Sequence, residues 1–291
     1  MMQSNPSHQQ DPSTLASVIG ELATQALLVE ANLHPKPGLV TARSTGSHSD
    51  MDIETFRQSA AALKPFMVEF SRLGLTFCGT NLTKLLAQLR PVGMQAEQEM
   101  MTATSQVNTH KGAIFILGVL CAALGYMKAQ SIKISPLHVQ DTIRKMCKGI
   151  TGELDSTQTT TAGEHAFKQH GVTGIRGEAE TGFPTLMQGL NAYKRAKRDG
   201  YEKPQALQFA LMTCISINDD SCLIKRGGLS GLNFAKEQAK SILQSNLDSR
   251  RFNTALQRLD IKFVERNLSP GGSADCLSAI WLISMMESFS S

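Results

Sequence analysis

The chain has 291 residues with 29 basic and 25 acidic side chains, a formal charge of +4. So small a surplus excludes the dense basic coat of a nucleic-acid binder but suits an anionic small molecule. With 41% hydrophobic and 19% charged residues the chain is globular rather than disordered. Its six scattered cysteines, with no C-x-x-C pair, argue for reduced thiols of a cytoplasmic protein and against a disulfide frame or a zinc site.

Residues 1–14 are polar and lack the apolar core of a secretory signal, so they are read as a flexible tail ahead of one domain over 15–291. Leu15, Val18, Ile19, Leu22, Ala26 and Val29 keep the spacing of one helix face, and Phe56, Ala60, Leu63, Met67 and Phe70 do the same. Residues 81–90 predict a short helix that stops before Pro91, because the residue before proline leaves the α region. Residues 111–129 predict the central apolar helix; its apolar run, 113–127, is too short for a membrane span. An amphipathic helix follows over 137–148. Pro184 and Pro204 stand where first-turn prolines belong. Residues 235–243, 254–265 and 273–286 complete the set. No stretch alternates convincingly, and 132–134 is too short for a strand. The expectation is an all-α bundle of about ten helices, with no βαβ rhythm.

Five polar clusters fall between these helices. They are 34–38 running on to 46–52, 108–112, 161–184, 218–228 and 268–275. The third has five glycines in 24 residues among Glu164, His165, His170, Arg176, Glu178 and Glu180, and is read as a loop. Loops at one end of a bundle converge on one pocket, where helix N-termini favour phosphate. Lys36, held between two prolines, is read as a phosphate ligand or as an exposed lysine in a rigid turn. His48, Asp50 and Asp52 suit either a hard metal or, for one aspartate, a helix cap. Asn108 or Thr109 caps the apolar helix, which leaves His110 and Lys111 for an anion. Asp219 and Asp220 sit side by side, tolerable in water or around a cation. Arg226, before two glycines, suits a forked phosphate contact. Ser273 is read as the cap of the last helix. No Walker-type phosphate loop, dinucleotide fingerprint, G-x-S-x-G elbow or H-E-x-x-H occurs. Residue types alone therefore point to a phosphorylated ligand and Mg²⁺ on a helical scaffold.

In order along the chain, EANLHPKPGLV (30–40), GSHSDMD (46–52), NTHKGAIFILGVLCAA (108–123), TAGEHAFKQHGVTGIRGEAETGFP (161–184), RGG (226–228) and ERNLSPGGSAD (265–275) resemble the triphosphoribosyl-dephospho-CoA synthases, the CitG-type proteins. Asp220-Ser221-Cys222 departs from the family's usual Asp-Thr-Asn, and Cys276 replaces a usual leucine. There is no room for the transferase domain fused to some relatives. The resemblance implies a pentosyltransferase. ATP donates its triphosphoribosyl group to the 2′-hydroxyl of 3′-dephospho-CoA, adenine leaves, and the anomeric centre inverts. The product is the precursor of the citrate lyase acyl carrier protein prosthetic group. A downstream holo-carrier-protein synthase uses it, and no nucleic acid or membrane is involved. A related branch serves malonate decarboxylase. A nucleotide N-glycosidase and a non-catalytic ATP-binding helical protein are the other readings.

The implied roles make Glu178 or Glu164 the base. Lys36, Lys111, Arg176 and Arg226 hold phosphates, with Asn108, Gly174, Gly177 and Gly271 on the nucleotide side. Asp50, Asp220 and Asp275 contribute to Mg²⁺ binding, and His48 or His110 assists at the base or phosphate.

Overall fold

A computed structural model describes residues 12–155 and 162–289. Among these the fold is all-α, with no strand: twelve α-helices and one 3₁₀ helix. They are α1 (Pro12–Asn32), α2 (Ile53–Thr76), α3 (Thr83–Ala103), α4 (Lys111–Ala129), α5 (Pro136–Met146), the 3₁₀ helix (Ile150–Asp155), α6 (Ala162–His170), α7 (Gly174–Glu180), α8 (Pro184–Arg198), α9 (Lys203–Ile217), α10 (Ser221–Gln244), α11 (Ser249–Glu265) and α12 (Gly271–Ser288). Helix α1 begins at Pro12, so 12–14 are its first turn, and 1–11 lie outside the described residues.

Helix α4 organises the rest. It is apolar nearly all round, so it satisfies burial only at the centre, and 13 of its 19 residues are buried. It packs on α1, α2, α3, α5 and α12. The α2–α4 contact is close because glycines line it: a Cβ on Gly74 would strike the Ala122 carbonyl, and one on Gly125 the Ser71 carbonyl. Helices α1 and α4 are each long and apolar enough to cross a membrane, but half of the apolar window of α1 and 72% of that of α4 are buried inside the fold. The 113–127 run thus belongs to a 19-residue helix buried by its neighbours, with the bounds expected of the central helix.

Pro91 does not end its helix, and α3 runs through it to Ala103. A proline frees the carbonyl four residues back. Here that carbonyl belongs to Ala87, and Ala87 and Pro91 both face solvent, where water satisfies it. Residues 162–180, read as loop, instead form α6 and α7, which brings the count from about ten helices to twelve. Thr161 lies outside the described residues.

Candidate active site

A cavity of about 1250 Å³ opens among α1, α3, α4, α7, α10 and α12. The first residues of three long helices line it: Lys111 and Gly112 of α4, Ser221 and Cys222 of α10, and Gly271 and Gly272 of α12. Their positive dipole ends face one space, although the Lys111 N–H is taken by Asn108 Oδ1 at 3.2 Å and those of Cys222 and Gly272 by Asp220. His48, Asp50, Asn108, Gly174, Arg176, Glu178, Arg226 and Asp275 also line it. Two expected residues do not, Glu164 and Gly177. Glu164 is buried and paired with Arg176 at 3.2 Å. Of the two carboxylates considered for the base, Glu178 is therefore the one on the cavity wall. A Cβ on Gly177 would clash with the Thr173 side chain, so Gly177 serves the packing of α7.

Glu178 accepts hydrogen bonds from the Thr185 N–H (3.0 Å) and hydroxyl (2.7 Å) at the start of α8. Burial pushes its pKa above the ordinary 4.5 against these bonds, and the charge of Asp219 adds to the rise.

Several expected phosphate ligands already have protein partners. Lys36 is 1% exposed and its ammonium pairs with the buried Glu30. Lys111 pairs with Glu97 on α3, and Arg176 with Glu164 and, at 3.9 Å, Glu153. The Arg226 fork is engaged by the Ser47 carbonyl (2.8 Å), Asn267 Oδ1 (2.7 Å) and His48 Nδ1 (3.1 Å). Burial first, then the Arg226 charge, lowers the His48 pKa. A neutral His48 accepting from Arg226 at Nδ1 donates at Nε2 to Ser269 Oγ, 2.9 Å away. Arg226 and His48 thus tie the 46–50 loop to 267–269 rather than reaching freely into the cavity.

The three aspartates expected at a metal separate. Asp220 caps α10 and accepts from the N–H groups of Cys222 (2.9 Å), Gly272 (3.3 Å) and Ser273 (2.9 Å) and from the Ser273 hydroxyl (3.0 Å). Four donors fill the four lone-pair directions of a carboxylate, so Asp220 joins α10 to α12 and is withdrawn as a metal ligand. Ser273 is correspondingly a partner of Asp220 and not the cap of α12, which starts at Gly271 after Pro270. Asp50 is 60% exposed beside His48, and Asp52 caps α2 in a capping box with Thr55. Asp275 has no hydrogen-bond or ion-pair partner among the described residues. Its pKa is raised well above the usual carboxylate range by burial, then by Glu30 and Asp220. A Cβ on Gly112 would collide with its Oδ2, so glycine there lets the carboxylate lie against the first turn of α4. Among the described residues no three His, Cys, Asp or Glu side chains form a metal site by themselves.

Sequence reasoning missed Glu30 as a partner of Lys36, although it opens the 30–40 motif, and it missed Ser59, which lies unmarked in the periodic run of α2. Thr109 Oγ1 donates to Ser59 Oγ at 2.7 Å, and Ser59 Oγ lies 2.6 Å from His110 Nδ1. Burial, then the Lys36 charge, pushes the His110 pKa down to about 3, so the ring is neutral. Ser59, already accepting from Thr109, donates to Nδ1, and the ring proton resides on Nε2. That atom is buried and has no partner among the described residues. His110 is a fixed donor on the cavity wall. A nitrogen-resolved NMR spectrum is expected to show the Nε2–H tautomer with no titration between about pH 5 and pH 8; an Nδ1–H tautomer would refute the relay. Cys222, in place of the family's amide, packs its sulfur on Gly271, and burial raises its pKa.

The chain matches the model of the family described as CitG, ATP:dephospho-CoA triphosphoribosyl transferase, over residues 16–291. It is 43% identical over 276 residues to a Vibrio cholerae (strain M66-2) protein named "Probable 2-(5''-triphosphoribosyl)-3'-dephosphocoenzyme-A synthase", covering 93% of this chain and 88% of that protein. The 2-(5''-triphosphoribosyl)-3'-dephosphocoenzyme-A synthases of Pectobacterium atrosepticum and Haemophilus ducreyi are 40% and 39% identical, covering 91% and 92% of this chain and 88% of each relative. No solved structure matches the chain. A match of this extent, on a fold that brings residues of all six motifs to one cavity, shows that the chain belongs to the ATP:dephospho-CoA triphosphoribosyl transferase family.

Proposed function

We propose that this chain transfers the triphosphoribosyl group of ATP to the 2′-hydroxyl of 3′-dephospho-CoA. The hydroxyl oxygen bonds to C1 of the ribose, the bond from C1 to adenine N9 breaks, and adenine leaves with the electron pair. The observation that supports this best is a raised carboxylate, Glu178, on the same wall as three converging helix N-termini. The dipole ends of these helices suit the triphosphate, with the N–H groups of Cys222, Gly272 and Ser273 already held by Asp220. Glu178 accepts the hydroxyl proton and faces the positive charge that develops on the ribose. His110, as a neutral Nε2–H donor, orients the leaving base or a phosphate oxygen.

Asp275 is the carboxylate that fits Mg²⁺, because among the described residues it has no donor while Glu30 and Asp220 crowd it with negative charge. Mg²⁺ commonly takes one or two carboxylates and completes its shell with water and substrate phosphates. When bound, the ion neutralises triphosphate charge. Within the same reading the product supplies the prosthetic group of the citrate lyase acyl carrier protein through a holo-carrier-protein synthase, in the cytoplasm.

Chromatography of ATP and Mg²⁺ with and without 3′-dephospho-CoA tests the proposal. The expected result is adenine release that depends on the acceptor, with a product heavier by one triphosphoribosyl group. Release at full rate without acceptor would make the chain a hydrolase. ATP binding with no release would leave a binding protein.

A further inference from the structure

We propose that the groove between α3 and α4 is the subsite for the pantetheine arm of the acceptor, an inference that rests on the transferase reading above. Helices α3 and α4 are joined by residues 104–110, and the Lys111–Glu97 pair links them on the cavity wall. From there both helices contribute to the cavity wall, α4 as far as Val119 and α3 back to Leu86. Eight residues of α4 span about 12 Å.

The chemistry changes along this distance. Near the pair stand Asn108, His110 and Asp275. Beyond it the wall is Leu86, Leu89, Met94, Phe115 and Val119. Met94 is 73% exposed, a large apolar side chain on a cavity wall left in water. Its neighbour Gly93 stands in the middle of α3, where glycine weakens a helix. Among the described residues no atom beyond its own chain neighbours and helix backbone lies within 4 Å of the place its Cβ would occupy, so packing between elements gives no reason for glycine there. Keeping the groove wide does.

Pantetheine alternates methyl and methylene groups with amides. An apolar floor accepts the first. A charged rim, where Arg90 of α3 pairs with Glu153 of the 3₁₀ helix, leaves the amides polar company. A purine needs donors and acceptors at its edge, and those stand at the other end with His110 and Asn108. The arm therefore runs along the groove while the nucleoside that carries the 2′-hydroxyl stays at the polar end near Glu178.

The test is calorimetric titration of wild type, Gly93→Ala and Gly93→Leu with 3′-dephospho-CoA and with ADP, which has no arm. Wild type is expected to bind dephospho-CoA more tightly than ADP. In G93L dephospho-CoA is expected to weaken by about tenfold or more, with ADP within about twofold. G93A lies between, and its melting temperature is no lower than that of wild type, since alanine favours the helix. If G93L melts lower, G93A carries the comparison. Equal wild-type affinity for the two ligands, or unchanged dephospho-CoA affinity in both variants, would overturn the proposal. So would equal weakening of ADP and dephospho-CoA, which places the nucleotide in the groove. Because the readout is binding, the expected pattern from a protein that releases no adenine would support the subsite and remove the transferase reading.

Discussion

Glu178→Gln is expected to lower kcat for adenine release by a factor of about 10²–10⁴, the range of a lost general base, while ATP affinity stays near wild type. The substitution keeps the shape of the side chain and an oxygen that accepts from Thr185, so local structure is retained. On the proposed mechanism it removes the group that takes the hydroxyl proton. A base works best with a pKa near the working pH, and burial moves Glu178 in that direction. The sign of the pH dependence follows. The base acts when ionised, so kcat falls as pH drops through its raised pKa, and the acid limb lies above the ordinary 4.5. Thr185→Val removes the hydroxyl bond that favours the ionised form, which moves the limb to higher pH with the plateau retained. An E178Q enzyme with near-normal kcat, or a limb indifferent to T185V, would assign the base elsewhere.

The second large effect concerns stability. Lys36→Met is expected to destabilise the fold by about 3–5 kcal/mol, as breaking one side of a buried ion pair does. For a chain of this size that lowers the melting temperature on the order of 10 °C. Burial raises the Glu30 pKa and lowers that of Lys36, and the charge and hydrogen bond of each offset part of that shift in the other. Without the ammonium, Glu30 remains buried beside Asp275, whose pKa it already raises. Glu30→Gln combined with K36M removes both charges and is expected to recover most of the loss. Thermal denaturation of the three variants separates this from a role in ligand binding. A K36M protein as stable as wild type, but with weakened ATP binding, would restore Lys36 as the phosphate ligand expected from its place between two prolines.

The helical class and most helix positions were legible because burial leaves a 3.6-residue periodicity in the sequence. Residues 111–129 were bounded as observed, since their apolar composition ends abruptly at polar neighbours. The errors have local causes. Pro91 is tolerated because the carbonyl it frees faces water, and solvent exposure of one turn is not written in a proline. Residues 162–170 and 174–180 are helical in spite of the glycines, and a tertiary partner holds α7: Glu180 accepts from the Gly149 and Thr151 N–H groups (2.6 and 3.2 Å), joining α7 to the 3₁₀ helix and the residue before it.

What the sequence alone determined is the inventory: an all-α fold, a family, and a set of charged and glycine-rich clusters suited to a phosphorylated ligand. These follow from residue type and order, which are local. Only the tertiary structure decided which of those charges face the cavity without a partner of their own. Charge pairing depends on approach between segments far apart in sequence. Asp220 meets Ser273 across 53 positions and Arg226 meets His48 across 178, so both are drawn into joining elements. Asp275 and His110 carry no stronger mark in the sequence than these. Among the described residues the fold leaves the Asp275 carboxylate without a donor and the His110 Nε2 without an acceptor, and both residues line the cavity.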